Sequence, residues 1–448
     1  MTTLRASVAP PASRCLMAPR VAAAARPLSG ALPHHIEARI PPHVTARSIF
    51  RLQPRCRDAC VARAARHRAG TTLHGARLDL VTLSNLCVDI IQQVPVLPPG
   101  DEQARRKLLH DLTKNPPPLH QWEVGGSTNT LLAGARIGLR CGSIGHIGDD
   151  IYGKFMLDVF RAEGVHTFHE VMPESRGSDQ DRTLLCFVLV DPNGGHAFCS
   201  EYDFGPWPLL QGVGDHLPDA AVQCLQSTRA LFINGFTFDE LAPEVVLQAA
   251  QVAKAAGAAV LFDPGPRAWT MADGARGDVL DSLLHLTDIV LLTSDEARAL
   301  TGHADPVEAG RAVSHRGGGQ IDWTIVKLGP EGSIVLHPDD TPDTRRVHRA
   351  APLTVEVADT VGCGDSFAAA VALGYTRGRS VAGTVALANA VGAATATGRG
   401  AGRNVARADV VAGLLGTQET DTEGAEEALE LLTSSCDALG LPWRETAV

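Results

Sequence analysis

From residue 78 onward, short apolar runs recur between glycine-bearing turns and alanine-rich stretches. The runs at 80–83, 231–233, 259–262, 289–292 and 323–326 are apolar almost throughout instead of alternating, so they predict strands covered on both faces. Helix-length segments such as 243–256 and 278–286 lie between them. Strands of this kind separated by helices predict an α/β class protein with a mostly parallel sheet, in which a ligand sits beyond the carboxyl ends of the strands.

Three segments break the rhythm. TLLCFVLVDPNGGHAFCSEY, 183–202, sets the turn cluster 191–195 between two β-prone runs and predicts a hairpin. The stretch 92–120 carries PVLPPG and NPPPLH around DEQARRKLLHDL, and its prolines exclude an interior strand because each removes a ladder donor. Both read either as a flap over a site or as plain surface excursions. The last segment, 417–448, is acidic, and GAEEALELLTSSCDALGL predicts an appended amphipathic helix.

Charge changes the picture at the front of the chain. The net charge of −10 over 448 residues hides a basic leader, since residues 1–77 hold thirteen Arg, no Lys and only Glu37 and Asp58 as acids. An Arg-rich, acid-poor leader predicts a disordered organelle transit peptide, chloroplast before mitochondrion, with a basic tail binding acidic surfaces as the alternative. The acidic body argues against nucleic-acid binding, and no run of eighteen apolar residues predicts a membrane span. Ten scattered cysteines without CxxC spacing indicate neither a disulfide framework nor a zinc site.

The strongest chemical signal is VEVADTVGCGDSFAAAVALGY, 355–375. A β-prone run to Val357, a small-residue turn at 359–365 and an alanine-rich helix from Ser366 predict a strand–turn–helix with open amides. Gly362 and Gly364 let that backbone approach an anion. Asp365 suits either a helix cap or a base that takes the proton of an attacking alcohol. Cys363 is a minor candidate nucleophile if the turn lowers its pKa. A second cluster, WEVGGSTNTLLAGARIGLRCGSIGHIGDDIYG, brings Gly125, Gly126 and Asn129 to a ligand, and Gly142, Gly145, Gly148 and Asp149-Asp150 read as a further tight turn. Neither a GxGxxG fingerprint nor a GxxxxGK[ST] loop occurs.

In this order, GGSTN with GHIGDDIYG and then DTVGCGDSF, the two clusters resemble the paired signatures of the pfkB (ribokinase-like) carbohydrate kinases, over residues 78–416 and in the manner of a plant or algal organelle-targeted member. The resemblance implies a three-layer α/β/α sandwich with a small β lid near 88–123 and 183–205. It implies Asp365 as general base, and Gly362, Cys363 and Gly364 as an anion hole. Asp89, Gly125, Gly126 and Asn129 would meet the sugar. Glu296 of TSDEARALTG would organise magnesium through water; Lys327, Gly329 and Gly332 of VKLGPEGS and Asn389 of ALANAVGAA would meet the nucleotide, with Arg267 and Thr360 at phosphate. Departures are Thr293 in place of Asn, Ser84 and Gly265 in place of Gly and Asn, and an Asn129 one residue early. The implied activity is ATP- and Mg²⁺-dependent phosphorylation of a hydroxyl of a small fructose- or ribose-like sugar. A nucleoside kinase and a catalytically silent scaffold in an organelle complex are the alternatives, and the resemblance also allows a monovalent cation such as K⁺ and a homodimer.

Overall fold

Side chains along the buried strands divide between two hydrophobic clusters, one on each face of a sheet. In β1 (Leu80–Leu83) Leu80 joins one cluster while Val81 and Leu83 join the other; in β10 (Ile289–Thr293) Ile289 and Leu291 face one way, Val290 and Leu292 the other. The period of two along strands apolar on both faces is what requires helices above and below. These features come from a computed structural model, which describes residues 77–98, 101–115, 117–169, 182–192, 196–200, 217–338, 345–417 and 424–441. The leader expected at 1–77 lies outside the described residues apart from Arg77, as do 201–205 of the second lid segment.

The remaining strands are β2 (Leu86–Gln93), β3 (Trp122–Gly126), β4 (Cys141–Gly145), β5 (His166–His169), β6 (Leu184–Val190), β7 (His196–Ser200), β8 (Ala230–Asn234), β9 (Ala259–Asp263), β11 (Trp323–Lys327), β12 (Ser333–Pro338) and β13 (Arg345–Ala350). Nine form one sheet in the order β13-β12-β11-β10-β9-β8-β1-β4-β5, paired in parallel except where β12 meets β11 and β13 at one edge. The other four form a second sheet, β3-β2-β6-β7. The chain has a ribokinase-like α/β fold with a small β lid.

The hairpin expected at 183–202 is β6 with β7, and β2 and β3 complete the lid from the first segment, joined through the helix Glu102–Lys114. Other expectations are corrected. Gly142 and Gly145 form no tight turn but lie within β4, where a Cβ on Gly145 would meet the Leu86 side chain at 2.9 Å. The run ending at Val357 is not a strand: it follows β13 without a ladder partner, and Val357 is 59% exposed. The helix Ala425–Leu439 is no appendage. Ala428, Leu431, Leu432 and Cys436 are buried in the same cluster as Leu80, and a Cβ on Gly138 would come within 2.4 Å of the Ser435 backbone. Burying one such leucine contributes about 1.5–3 kcal/mol.

Candidate active site

Four neighbouring parallel strands, β8 to β11, end on polar residues: Asn234, Asp263, Thr293 and Lys327. The Lys327 ammonium donates to Asp263 Oδ2 at 2.6 Å, and Asp263 Oδ1 accepts from the Gly265 amide at 2.9 Å. Burial alone would lower the lysine, but Asp263, Glu296 and Asp365 reverse this and hold it above its ordinary range. Thr293 starts the helix Ser294–Thr301 with a capping box: its Oγ1 accepts from the Glu296 amide at 3.2 Å, and Glu296 Oε2 accepts from the Thr293 amide at 2.7 Å. Threonine in the place of asparagine therefore still fixes Glu296, whose carboxyl is raised by burial and then by Asp263.

The glycine turn lies beside this row. Gly362, at φ 80°, is the N-cap of the helix Cys363–Thr376, and only a residue tolerant of the left-handed region fits there without strain. Asp359 pins the turn, accepting from the Val361 amide at 3.0 Å and the Gly400 amide at 2.9 Å. The amides of Gly364 and Asp365 find no acceptor among the described residues. A Cβ on Gly364 would stand 3.3 Å from Lys327 Nζ, so the open amides and the ammonium border one small space. Helix amides, the helix dipole and a cation together favour an anion.

Asp365 does not cap this helix, as one reading of the sequence held; it is the third residue inside it. Burial pushes its carboxyl up to about 7, with Asp263 and Glu296 adding to the rise and Asn129 and Lys327 opposing it. Cys363 is no activated thiol: burial, then Asp359 and Asp365, push it up to about 12.

Asp89, on β2 of the lid, is likewise buried and pushed up to about 7 by burial, Asp365 and Glu123, tempered by a contact from Cys87 Sγ at 3.4 Å. Gly125 on the paired β3 has to lack a side chain, since a Cβ there would fall 2.3 Å from the Asp89 carboxyl. Gly126, at φ 61°, would put a Cβ 2.3 Å from the Asn85 carbonyl oxygen. Asp89 and Asp365 thus bring two proton-avid carboxyls to one electrostatic neighbourhood, one from the lid sheet and one from the helix Cys363–Thr376.

Other sequence candidates fall differently. Asn129 Nδ2 donates to Asp365 Oδ2 at 3.1 Å, and its Oδ1 accepts from the Gly402 amide at 2.9 Å. Arg267 is turned to the buried Asp239 at 2.6 Å and lies 4.6 Å over the Phe236 ring, which removes its charge from the lysine cluster. Thr360 is exposed, and its carbonyl accepts from the Cys363 amide at 3.3 Å. Asn389 donates to the Ala351 carbonyl at 3.0 Å; Gly332, at φ 87°, packs against the Ala350 carbonyl, while Gly329 opens the short turn before it.

Sequence reasoning missed Glu240. It binds the Ser84 hydroxyl and accepts from the Asn85 amide at 3.0 Å, at the crossing from β1 to β2 where both residues have positive φ. Burial pushes it up to about 8. The acidic pair Asp239-Glu240 just after the strand 230–234 was its one signal. Asp263 follows the predicted strand run 259–262, but its lysine partner lies 64 residues away, so the spacing gave no sign of the pair.

No group of three His, Cys, Asp or Glu is arranged to hold a metal among the described residues. Magnesium commonly takes one or two carboxylates and draws its other ligands from phosphate and water, a pattern that Glu296 and Asp263 fit.

Known proteins resemble this chain over much of its length. The family model described as pfkB family carbohydrate kinase matches residues 117–407. Similar curated proteins include 5-dehydro-2-deoxygluconokinase of Bacillus subtilis, 27% identical over 262 residues covering 58% of this chain and 76% of that protein. Probable fructokinase-6, chloroplastic, of Arabidopsis thaliana is 27% identical, covering 55% and 60%. Among solved structures, a probable sugar kinase of Rhizobium etli superposes with a TM-score of 0.59 at 23% identity, over 76% of this chain and all of that one. Arabidopsis thaliana ribokinase complexed with ribose and ATP gives 0.57 at 19% identity, over 77% and 100%; both establish the fold. With the matched model spanning β3, β6 and β7 of the lid, the strand ends and the glycine turn, the chain belongs to the pfkB family of carbohydrate kinases.

Proposed function

We propose that the protein transfers the γ-phosphoryl group of ATP directly to a hydroxyl of a small fructose- or ribose-like sugar bound between Asp89 and Asp365. The observation that carries the reading is the pair of open amides at Gly364 and Asp365 beside the Lys327 ammonium, with the Asp365 carboxyl in the same turn of helix. The ionised Asp365 takes the proton of the acceptor hydroxyl as its oxygen bonds to the γ-phosphorus and the bond to the bridging oxygen of ADP breaks. The amides and Lys327 hold the charge on the transferring group, a preorganised arrangement worth about 3–4 kcal/mol for a single donor of this kind. Magnesium, when bound, would neutralise phosphate charge near Glu296 and Asp263. The position of Asp89 supports a hydroxyl-binding role, and the packing of Gly332 and Asn389 against the 350–351 backbone supports a nucleotide-binding role for them and for Gly329.

Release of ADP measured with D-fructose, D-ribose, 5-dehydro-2-deoxygluconate and adenosine tests the acceptor. Turnover with a free sugar above that with adenosine is expected. Preference for adenosine would favour a nucleoside kinase, and no turnover by folded, ATP-binding protein would favour the scaffold. Repeating the assay with K⁺ replaced by choline tests the monovalent cation.

The composition of residues 1–77 supports a chloroplast address, and one similar protein is described as chloroplastic. Residues 1–77 fused to a fluorescent protein are expected to direct it to plastids; mitochondrial or cytosolic signal would overturn this. Exposed Val96 and Leu119 on the lid segment support a homodimer, tested by sedimentation.

A further inference from the structure

We infer that Asn129 is a positioning residue for the Asp365 carboxylate and not a ligand of the acceptor. Both ends of its amide are committed inside the protein. Oδ1 accepts from the Gly402 amide at 2.9 Å, which fixes which end of the amide is oxygen and so turns Nδ2 toward Asp365 Oδ2 at 3.1 Å. The side chain is 4% exposed.

The Gly402 amide is itself held. Glu123 of β3 accepts from the Arg403 amide at 3.0 Å and pairs with the Arg403 guanidinium at 2.7 Å, and a Cβ on Gly402 would fall 2.5 Å from the Glu123 carboxyl. Two residues earlier, the Gly400 amide binds Asp359 of the anion-hole turn. The loop therefore fastens lid, turn and Asn129 together, and the amide that meets Asp365 has little freedom to swing toward a ligand.

The charged groups around Asp365 explain why such a donor is needed. Asp263 from β9 and Glu296 from the helix Ser294–Thr301 disfavour its ionised form, and Asp365 in turn disfavours that of Asp89 on the lid; Cys363 adjoins it on its own helix, and Lys327 from β11 opposes the acids. A hydrogen bond to a carboxylate favours the charged state, and one made to Oδ2 leaves Oδ1 for the acceptor proton.

The inference rests on Asp365 being the base, so its test is read with and without an acceptor. In protein labelled with ¹³C at the aspartate carboxyls, the resonance missing from Asp365→Asn identifies Asp365, and its titration is followed in Asn129→Leu and Asn129→Asp. An upward shift of about one pH unit is expected for Asn129→Leu, as the lost donor no longer favours the carboxylate. A larger shift is expected for Asn129→Asp, which keeps an acceptor for the Gly402 amide but brings a like charge. In kinetics with whichever of D-fructose, D-ribose or adenosine turns over fastest, the acid limb of kcat/KM should move by the same amount, with activity recovering at higher pH and the KM for acceptor nearly unchanged. An unmoved titration in variants that keep the wild-type melting profile would overturn the inference, as would an unmoved acid limb with a raised acceptor KM, the pattern of a sugar ligand. If Asp365→Asn itself kept full turnover, the base assignment would fail separately.

Discussion

The two ends of the large sheet treat a buried aspartate in opposite ways. At the amino-terminal end Asp79, 1% exposed, meets three guanidinium groups, from Arg140 at 3.1 Å, Arg229 at 3.2 Å and Arg377 at 3.6 Å. At the carboxyl-terminal end Asp365, Asp263 and Glu296 surround the ammonium of Lys327. An excess of cations makes the first carboxylate a structural tie; a shortage of them leaves the second group with raised affinity for protons. In the proposed reaction the same residue type serves stability at one end and proton transfer at the other, and its neighbours decide which.

Removing the cation from the poor end should have the largest effect. Lys327→Met takes a charge from the oxyanion space and leaves Asp263 unpaired, so kcat/KM is expected to fall about 10²–10³-fold while the variant remains folded by circular dichroism. At the rich end Asp79→Asn should leave kcat and KM unchanged. It should cost about 2 kcal/mol in urea unfolding, below the range for fully buried pairs because its arginines are about a third exposed.

The pH dependence sharpens the contrast further. Because Asp365 and Asp89 are both pushed up to about 7, kcat/KM should decline as pH falls below about 7. The sign for stability is the reverse of that for activity. A carboxyl whose folded pKa is raised favours the folded state most at low pH and loses that contribution as pH rises from about 4 to 7. Asp365→Asn should therefore raise the melting temperature at pH 8, by an amount that vanishes toward pH 4. A variant less stable than wild type at pH 8 would show that Asp365 is paired like Asp79.

Much of the frame could be read from the chain because strands such as β1 and β10 are apolar on both faces and agree with the sequence to within a residue. The glycine turn was equally plain, since glycines before an alanine-rich helix have a local meaning. Pairings across the fold were not: Asn129 meets Asp365 over 236 positions, and Ser84 meets Glu240 over 156, contacts that depend on strand order. The run 355–357 misled for the same reason. It has strand-like composition, but the sheet ends at β13 and offers it no partner. The helix Ala425–Leu439 announced its amphipathic face without saying which surface it would meet.

Turnover by Asp365→Asn, measured beside ATP binding to the same protein, tests the central claim most directly. A fall in kcat of about 10³-fold with ATP affinity within about twofold of wild type is predicted, since the amide keeps the shape and loses the proton acceptor. Undiminished turnover by the folded variant would contradict it.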